Sequence, residues 1–312
     1  LLFCGTGAVL HATGERNLGR LGGLIHRMPW VAWLTLVGVL AIAGLPPLNG
    51  FVSEWLLLQA FLFAHEVPHP FVNMLLPLGA SIVALAAALA AYVMVKFYGV
   101  VFLGQPREPS LAKAHDAGPL EKAGLAWLAA GCVLLGLLPG QVVGGLGYVT
   151  RQLSGHAVAT GQGWSWLLAP LPDREVSYAP LVLLLVIVAV VAITFLTVRL
   201  TYRRVVRRAP PWDCGFVRVD ARMQDTAEGF GQPIRHIFQS FFQMKRELPS
   251  PFDATPRYRV TIGDRIWLVL YEPLGGIVQR LADSVAWLQQ GRISTYLLYS
   301  FVTLVVLLAV VL

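Results

Sequence analysis

Residues 29–66 read PWVAWLTLVGVLAIAGLPPLNGFVSEWLLLQAFLFAHE, two apolar segments flanking LPPLNG with one carboxylate, Glu54, just past the interruption. A helix needs about 20 apolar residues to cross a bilayer, and 30–44 falls short by itself. Pro46 and Pro47 withhold two backbone donors, and Gly50 accepts almost any backbone geometry. In hydrocarbon such a gap persists only where protein buries it or water lines it. An ionisable side chain at that depth is costly and marks a functional site by default. A broken crossing with an acid at the break predicts an ion path.

The rest of the chain reads as membrane protein. Hydrophobic residues make up 56% of the 312, charged residues only 13%, and the mean hydropathy is +0.64. That balance predicts an all-α, polytopic transmembrane bundle. Apolar spans fall at 1–11, 30–64, 72–103, 123–143, 178–200 and 294–312. The net charge of +7 sits beside these spans, where orientation in the bilayer accounts for it, and no basic face is interleaved with aromatics. Nucleic acid is therefore not an expected partner. Cys4, Cys132 and Cys214 lack metal-ligand spacing, and the first two lie within apolar segments as small hydrophobes. With no dinucleotide fingerprint either, no cofactor is expected. The chain opens on Leu1 in the middle of an apolar segment, without an initiator Met or a signal peptide, and so reads as the C-terminal part of something longer.

Loop charge discriminates between two topologies. Residues 12–29 carry Arg16, Arg20 and Arg27 against Glu15; residues 104–122 carry Arg107, Lys113 and Lys122 against Glu108, Asp116 and Glu121; TYRRVVRR after Leu200 is the most basic stretch. The loop at 65–70, HEVPHP, has neither Lys nor Arg, and 144–177 balances Arg151 and Arg174 with Asp173 and Glu175. If 30–64 crosses once, all three basic segments share one side, which is then cytoplasmic. A hairpin would place the first opposite the other two. The single broken crossing is the expected arrangement. Beyond Leu200, Ile266, Leu268, Leu270, Leu274, Ile277, Val278, Leu281, Val285 and Leu288 recur at roughly helical spacing. This predicts an amphipathic helix on the cytoplasmic side, lying on the membrane surface, on a partner, or on the chain's own helices.

LLFCGTGAVLHATGERNLGRLGGL, AIAGLPPLNGFVSEWLL, VKFYGVVFLG and PWDCGF together resemble one family. It comprises the antiporter-like, proton-conducting subunits shared by respiratory complex I, Mrp cation/proton antiporters and membrane-bound group 4 hydrogenases. The WDCG segment resembles the large subunit of formate hydrogenlyase and hydrogenase-4 type complexes. The resemblance implies two inverted five-helix repeats, each with a broken helix. It makes 1–143 the end of the second repeat, 144–200 an additional span with its preceding loop, 201–293 a cytoplasmic-side extension, and 294–312 a C-terminal transmembrane helix. The family's central lysine would fall just before Leu1.

On that footing the expected function is proton, or sodium, translocation by a non-catalytic membrane subunit of a redox-driven hydrogenase-like or NADH dehydrogenase-like complex in the cytoplasmic membrane. Its partners would be other membrane subunits and a soluble hydrogenase or dehydrogenase arm. A Mrp-like secondary antiporter and a purely structural membrane-arm subunit are the alternatives. The resemblance carries the family's ionisable position onto Glu54. Lys96 either snorkels to the headgroups or tunes the path, and His11 either relays protons or marks the water interface. Asn49 and Ser53 either cap the second half-helix or bind the broken backbone and its water. Arg16 and Arg20 are orienting anchors, while His26, His65, His69 and His115 lie in loops with no metal-ligand context.

Overall fold

The structure, a computed structural model, describes residues 1–63, 68–155, 168–171, 176–202, 212, 214–215, 219–221, 223–255, 258–288 and 291–311. It divides into two compact units, Leu1–Phe230 and Gly231–Leu312. The first unit holds α1 (Leu2–Thr13), α2 (Pro29–Ile42), α3 (Asn49–Phe63), α4 (Pro70–Phe102), α5 (Pro119–Leu137), α6 (Pro139–Gly145) and α7 (Gly147–Ser154). A two-stranded hairpin of β1 (Leu168–Leu171) and β2 (Val176–Tyr178) precedes α8 (Pro180–Thr201), and α9 (Ala227–Ile237) begins at the unit's end. Five of these helices start on a proline, where the missing N–H costs nothing and φ is already helical. The expected span 123–143 is interrupted for the same reason: Leu138 leaves helical geometry before Pro139, which opens a new helix.

The long helix α4 reports how the broken segment crosses. Gly79, near its N-terminal end, lies against the Phe61 ring of α3. Tyr98, Val101 and Phe102, at its other end, share a buried cluster with Met28, Val31 and Ala32 at the start of α2. Phe61 therefore sits about 35 Å along α4 from Phe102, at 1.5 Å per residue. A hairpin would have returned Phe61 to the α2 start. Instead α2 and α3 lie end to end, antiparallel to α4, as one broken crossing.

The two loops expected to share a side do meet. The Gly23 N–H donates to Leu103 O (2.9 Å), and Gly22 and Gly23 face Gln105 and Pro106 so closely that a Cβ on either would collide. Asp116 reaches back to the first turn of α2, accepting from the N–H groups of Trp30 (3.1 Å) and Val31 (3.4 Å), and pairs with Lys122 at 3.4 Å. A carboxylate there satisfies orphan donors and sits at the positive end of the helix. Arg20 pairs with Glu15 at 3.4 Å. The Asn17 backbone N–H, followed by the Arg16 N–H and the Arg20 charge, holds Glu15 below the usual carboxylate range. The RRVVRR segment lies outside the described residues.

In the second unit, an antiparallel hairpin pairs β3 (Phe242–Glu247) with β4 (Arg259–Asp264), in a register running from Phe242 opposite Asp264 to Glu247 opposite Arg259. The two short hairpins depart from an all-α expectation; the molecule remains predominantly helical. Asp264 Oδ1 accepts from the N–H groups of Ile266 (2.9 Å) and Trp267 (3.1 Å) and so opens the expected amphipathic helix. That helix begins with a π turn at Trp267–Tyr271 and continues as α10 (Glu272–Val285). The last helix is α11 (Ile293–Val311). Among the described residues four helices, α4, α5, α8 and α11, are long and apolar enough to cross a membrane.

Candidate functional site

The break occupies 43–48. The chain leaves α2 through Gly44 in the left-handed region (φ 66°), passes a cis Pro46–Pro47 peptide, and re-enters helix at Asn49. Leu45 N–H donates to Leu40 O (3.1 Å) and Leu48 N–H to Leu45 O (3.1 Å), so part of the gap is closed by its own backbone. Three glycines from three segments let the pieces approach. A Cβ on Gly44 would strike the Glu54 carboxyl, one on Gly50 would enter the Ala41 carbonyl, and one on Gly136 of α5 would enter the Pro47 carbonyl.

Glu54 is half-buried, one turn into α3, with its carboxyl against Gly44. Among the described residues no cation forms an ion pair with it. Ser53 Oγ donates to Gly50 O (2.8 Å), a bond within the first turn of α3. Among the described residues, buried Asn49 Oδ1 finds no hydrogen-bond partner, nor do Thr35 Oγ1 on α2, Gln59 Oε1 on α3 and the Tyr178 hydroxyl. Tyr178 packs at a tilt against Phe51 and Trp55, ring centroids 5.3 and 5.7 Å away, either side of Glu54 in sequence. Buried polar atoms in folded proteins are satisfied by protein or by ordered water. Asn49 and Tyr178 therefore give the start of α3 atoms able to hold water, while Thr35 faces Gly5 of α1.

The other two candidates lie elsewhere. Counting antiparallel from the Phe61–Gly79 contact sets Glu54 level with about residue 86 of α4, some 15 Å short of Lys96. Lys96 instead lines a recess of about 290 Å³ with Arg107, Gln224 and Asp225 at the end of α4. His11, exposed at the end of α1, meets the ring of His115 edge-on at 6.4 Å. Sequence spacing gave no sign of that pairing. It also gave none of Arg107, a buried residue that donates to the carbonyls of Leu21, Val100 and Asp225. Among the described residues no three His, Cys, Asp or Glu side chains cluster in a way that would hold a metal. His65 lies outside the described residues.

Residues 1–98 match the family described as "NADH:quinone oxidoreductase/Mrp antiporter, TM". Over 317 residues the chain is 29% identical to hydrogenase-4 component B of Escherichia coli, covering 99% of this chain and 47% of that protein. It is 32% identical over 274 residues to formate hydrogenlyase subunit 3 of the same organism, covering 83% and 40%. The fold matches a chain in the structure of the membrane-bound sulfane sulfur reductase, an archaeal respiratory membrane complex, with a TM-score of 0.62, 23% identity, and coverage of 98% of this chain and 44% of that one. The chain thus spans somewhat less than half the length of these relatives.

Proposed function

Because this chain belongs to the antiporter-like membrane subunits of the complex I, Mrp and hydrogenase-4 superfamily, we propose that it carries protons through the second of the family's two helix repeats, with Glu54 as the group that loads and releases them. The observation that carries this reading is the setting of Glu54: an acid without an ion-pair partner among the described residues, lodged against Gly44 at a break in a membrane crossing. A carboxyl in apolar surroundings takes up and gives up a proton at low cost only if its charged form finds transient help. Broken backbone and water-binding oxygens supply that help. Thr35, Asn49 and Gln59 would hold the water that links Glu54 to either side, while Lys96 and His11 would serve the ends of the path.

In this reading the chain works in the cytoplasmic membrane beside other membrane subunits. It performs no redox chemistry itself; a soluble hydrogenase-like or dehydrogenase-like arm supplies the energy. Coupling is electrostatic, a charge change in a neighbouring segment driving the transfer of protons past Glu54.

The test is Glu54→Gln, which keeps the shape of the side chain and removes its proton. The complex carrying it is expected to assemble with its full subunit complement and to lose proton movement into membrane vesicles at least ~10-fold, the loss expected when an essential acid–base group is removed. Undiminished proton movement in a fully assembled Glu54→Gln complex would overturn the assignment.

A further inference from the structure

His11 and His115 are far apart in sequence, yet their rings meet edge-on with centroids 6.4 Å apart. His11 stands in the last turn of α1 and His115 in the loop between α4 and α5, and both are exposed. His115 Nδ1 lies 3.2 Å from the Asp116 carbonyl oxygen. A carbonyl only accepts, so that contact keeps the hydrogen of the neutral ring on Nδ1 and the lone pair on Nε2. The loop thus holds His115 in one tautomer with one nitrogen open to a proton. Histidine is the side chain that exchanges protons in the physiological range.

The carboxylates of these two loops are engaged elsewhere. Asp116 accepts from the N–H groups of Trp30, Val31 and Ala117 and pairs with Lys122 of α5. Glu15 accepts from the N–H groups of Arg16 and Asn17 and pairs with Arg20. Glu121 accepts from the Gly118 N–H. Arg16 and Lys113 are the further cations nearest the pair in sequence. The two imidazoles are the bases that this arrangement presents to solvent.

The pair also stands at the mouth of a seam. Gly5 of α1 faces Thr35 of α2, and Gly38 of α2 faces Leu1 and Leu2. The two helices therefore run antiparallel, and His11 comes level with Pro29, the first residue of α2. Asp116, beside His115, caps that same end. About 9 Å deeper along α1, the Thr35 hydroxyl is fully buried and finds no hydrogen-bond partner among the described residues. It is the only hydroxyl that α2 carries, and α2 runs on from it to the break at 43–48.

Resting on the reading of this chain as a proton carrier, we propose that His11 and His115 act together as a proton-collecting mouth on the side of the basic loops. A hydronium ion gives its proton to His115 Nε2 and becomes water, while the Nδ1–H stays on the Asp116 carbonyl. The same nitrogen then releases the proton to His11, directly or through one bridging water, and so into the α1–α2 seam. The ring returns to its starting tautomer.

The experiment follows proton movement into inverted membrane vesicles holding the complete complex, which turn these loops outward by the orientation that loop charge sets. His11→Gln and His115→Gln should each slow it at least ~10-fold at low buffer, as loss of a positioned acid–base group does. The deficit should grow as pH rises and free protons become scarce. Carnosine, an imidazole buffer that does not cross the bilayer, should restore most of the rate when added outside, which a packing defect would not allow. The double variant should be no slower than the slower single one, because the two rings serve one step. Wild-type rates in the fully assembled His115→Gln complex, slow rates that carnosine leaves unchanged, or losses that multiply in the double variant overturn the proposal. Glu54→Gln is expected to stay slow in carnosine. Normal proton movement in Glu54→Gln beside carnosine-dependent histidine variants keeps the mouth and removes Glu54; the reverse pattern removes the mouth and keeps Glu54.

Discussion

The broken-helix region and the C-terminal unit use the same raw material, glycine and aliphatic residues, toward opposite ends. Around the break, Gly44, Gly50 and Gly136 each face another segment at a distance no side chain allows, and α2, α3 and α5 close over the gap. In the second unit Gly275 and Gly276 of α10 have none of the described residues within contact distance of an added Cβ, and Leu274, Ile277, Val278 and Leu281 are all about half exposed or more. The apolar face of α10 is thus complete as a surface and incomplete as a packed structure, and α11 buries none of its residues. One region holds its own geometry; the other needs lipid or protein to cover it.

Deleting residues 231–312 should sharpen that difference most. The first unit contains its own buried cluster around Met28, Val31, Phe102 and Leu111, so its thermal unfolding midpoint is expected to stay nearly unchanged. The whole complex, by contrast, should lose at least one co-purifying membrane subunit. A collapse of the first unit on deletion would break the contrast. Gly50→Ala makes the converse test. The added Cβ would enter the Ala41 carbonyl, which is backbone and cannot swing aside, so the break must open. Destabilisation of about 3 kcal/mol or more, the upper range for forced overpacking, is expected in denaturant unfolding. Gly275→Ala, by the same measurement, should be neutral or slightly stabilising because alanine is the better helix former.

How much of this was legible beforehand differs between the regions for a physical reason. The break, its acid and the single crossing were readable because they are local: two prolines and a glycine dictate backbone, and loop charge dictates orientation. The interruption at Pro139 carried an equally local signal, hidden by the apolar run around it. The β3–β4 hairpin was not anticipated: Phe242 and Met244, and Val260 and Ile262, alternate with period two over too few residues to stand out beside a much stronger helical pattern. The contacts of Arg107, of His11 with His115, and of Asp116 with the α2 start join residues far apart in sequence. Nothing in a nearly neutral loop marks one charge as buried and another as solvated. Only the packing of the loops after α1 and α4 decides that.

Asp116 allows such a long-range link to be measured. It reaches α2 across the chain and also holds Lys122. Asp116→Ala should cost about 1 kcal/mol, the usual cost of losing a side-chain cap, and Asp116→Asn should recover much of it because an amide oxygen still accepts the two N–H bonds. If Asn restores nothing, the half-buried Lys122 pair rather than the cap carries the stability.

The smallest effect is the most diagnostic for water near the break. The Tyr178 hydroxyl is buried, without a partner among the described residues, its ring packed at a tilt against Phe51 and Trp55. If that hydroxyl stands dry, Tyr178→Phe deletes an unsatisfied polar group and should stabilise the protein by up to about 1 kcal/mol. If an ordered water satisfies it, the same change strands that water's remaining bonds and should destabilise by a similar amount. The reading of the break as a hydrated path predicts the second sign, measured as a lower midpoint in thermal unfolding with the ring packing intact. A stabilised Tyr178→Phe protein would mean that this wall of the break is sealed, and the path past Glu54 would then have to run along the Thr35 and Asn49 side.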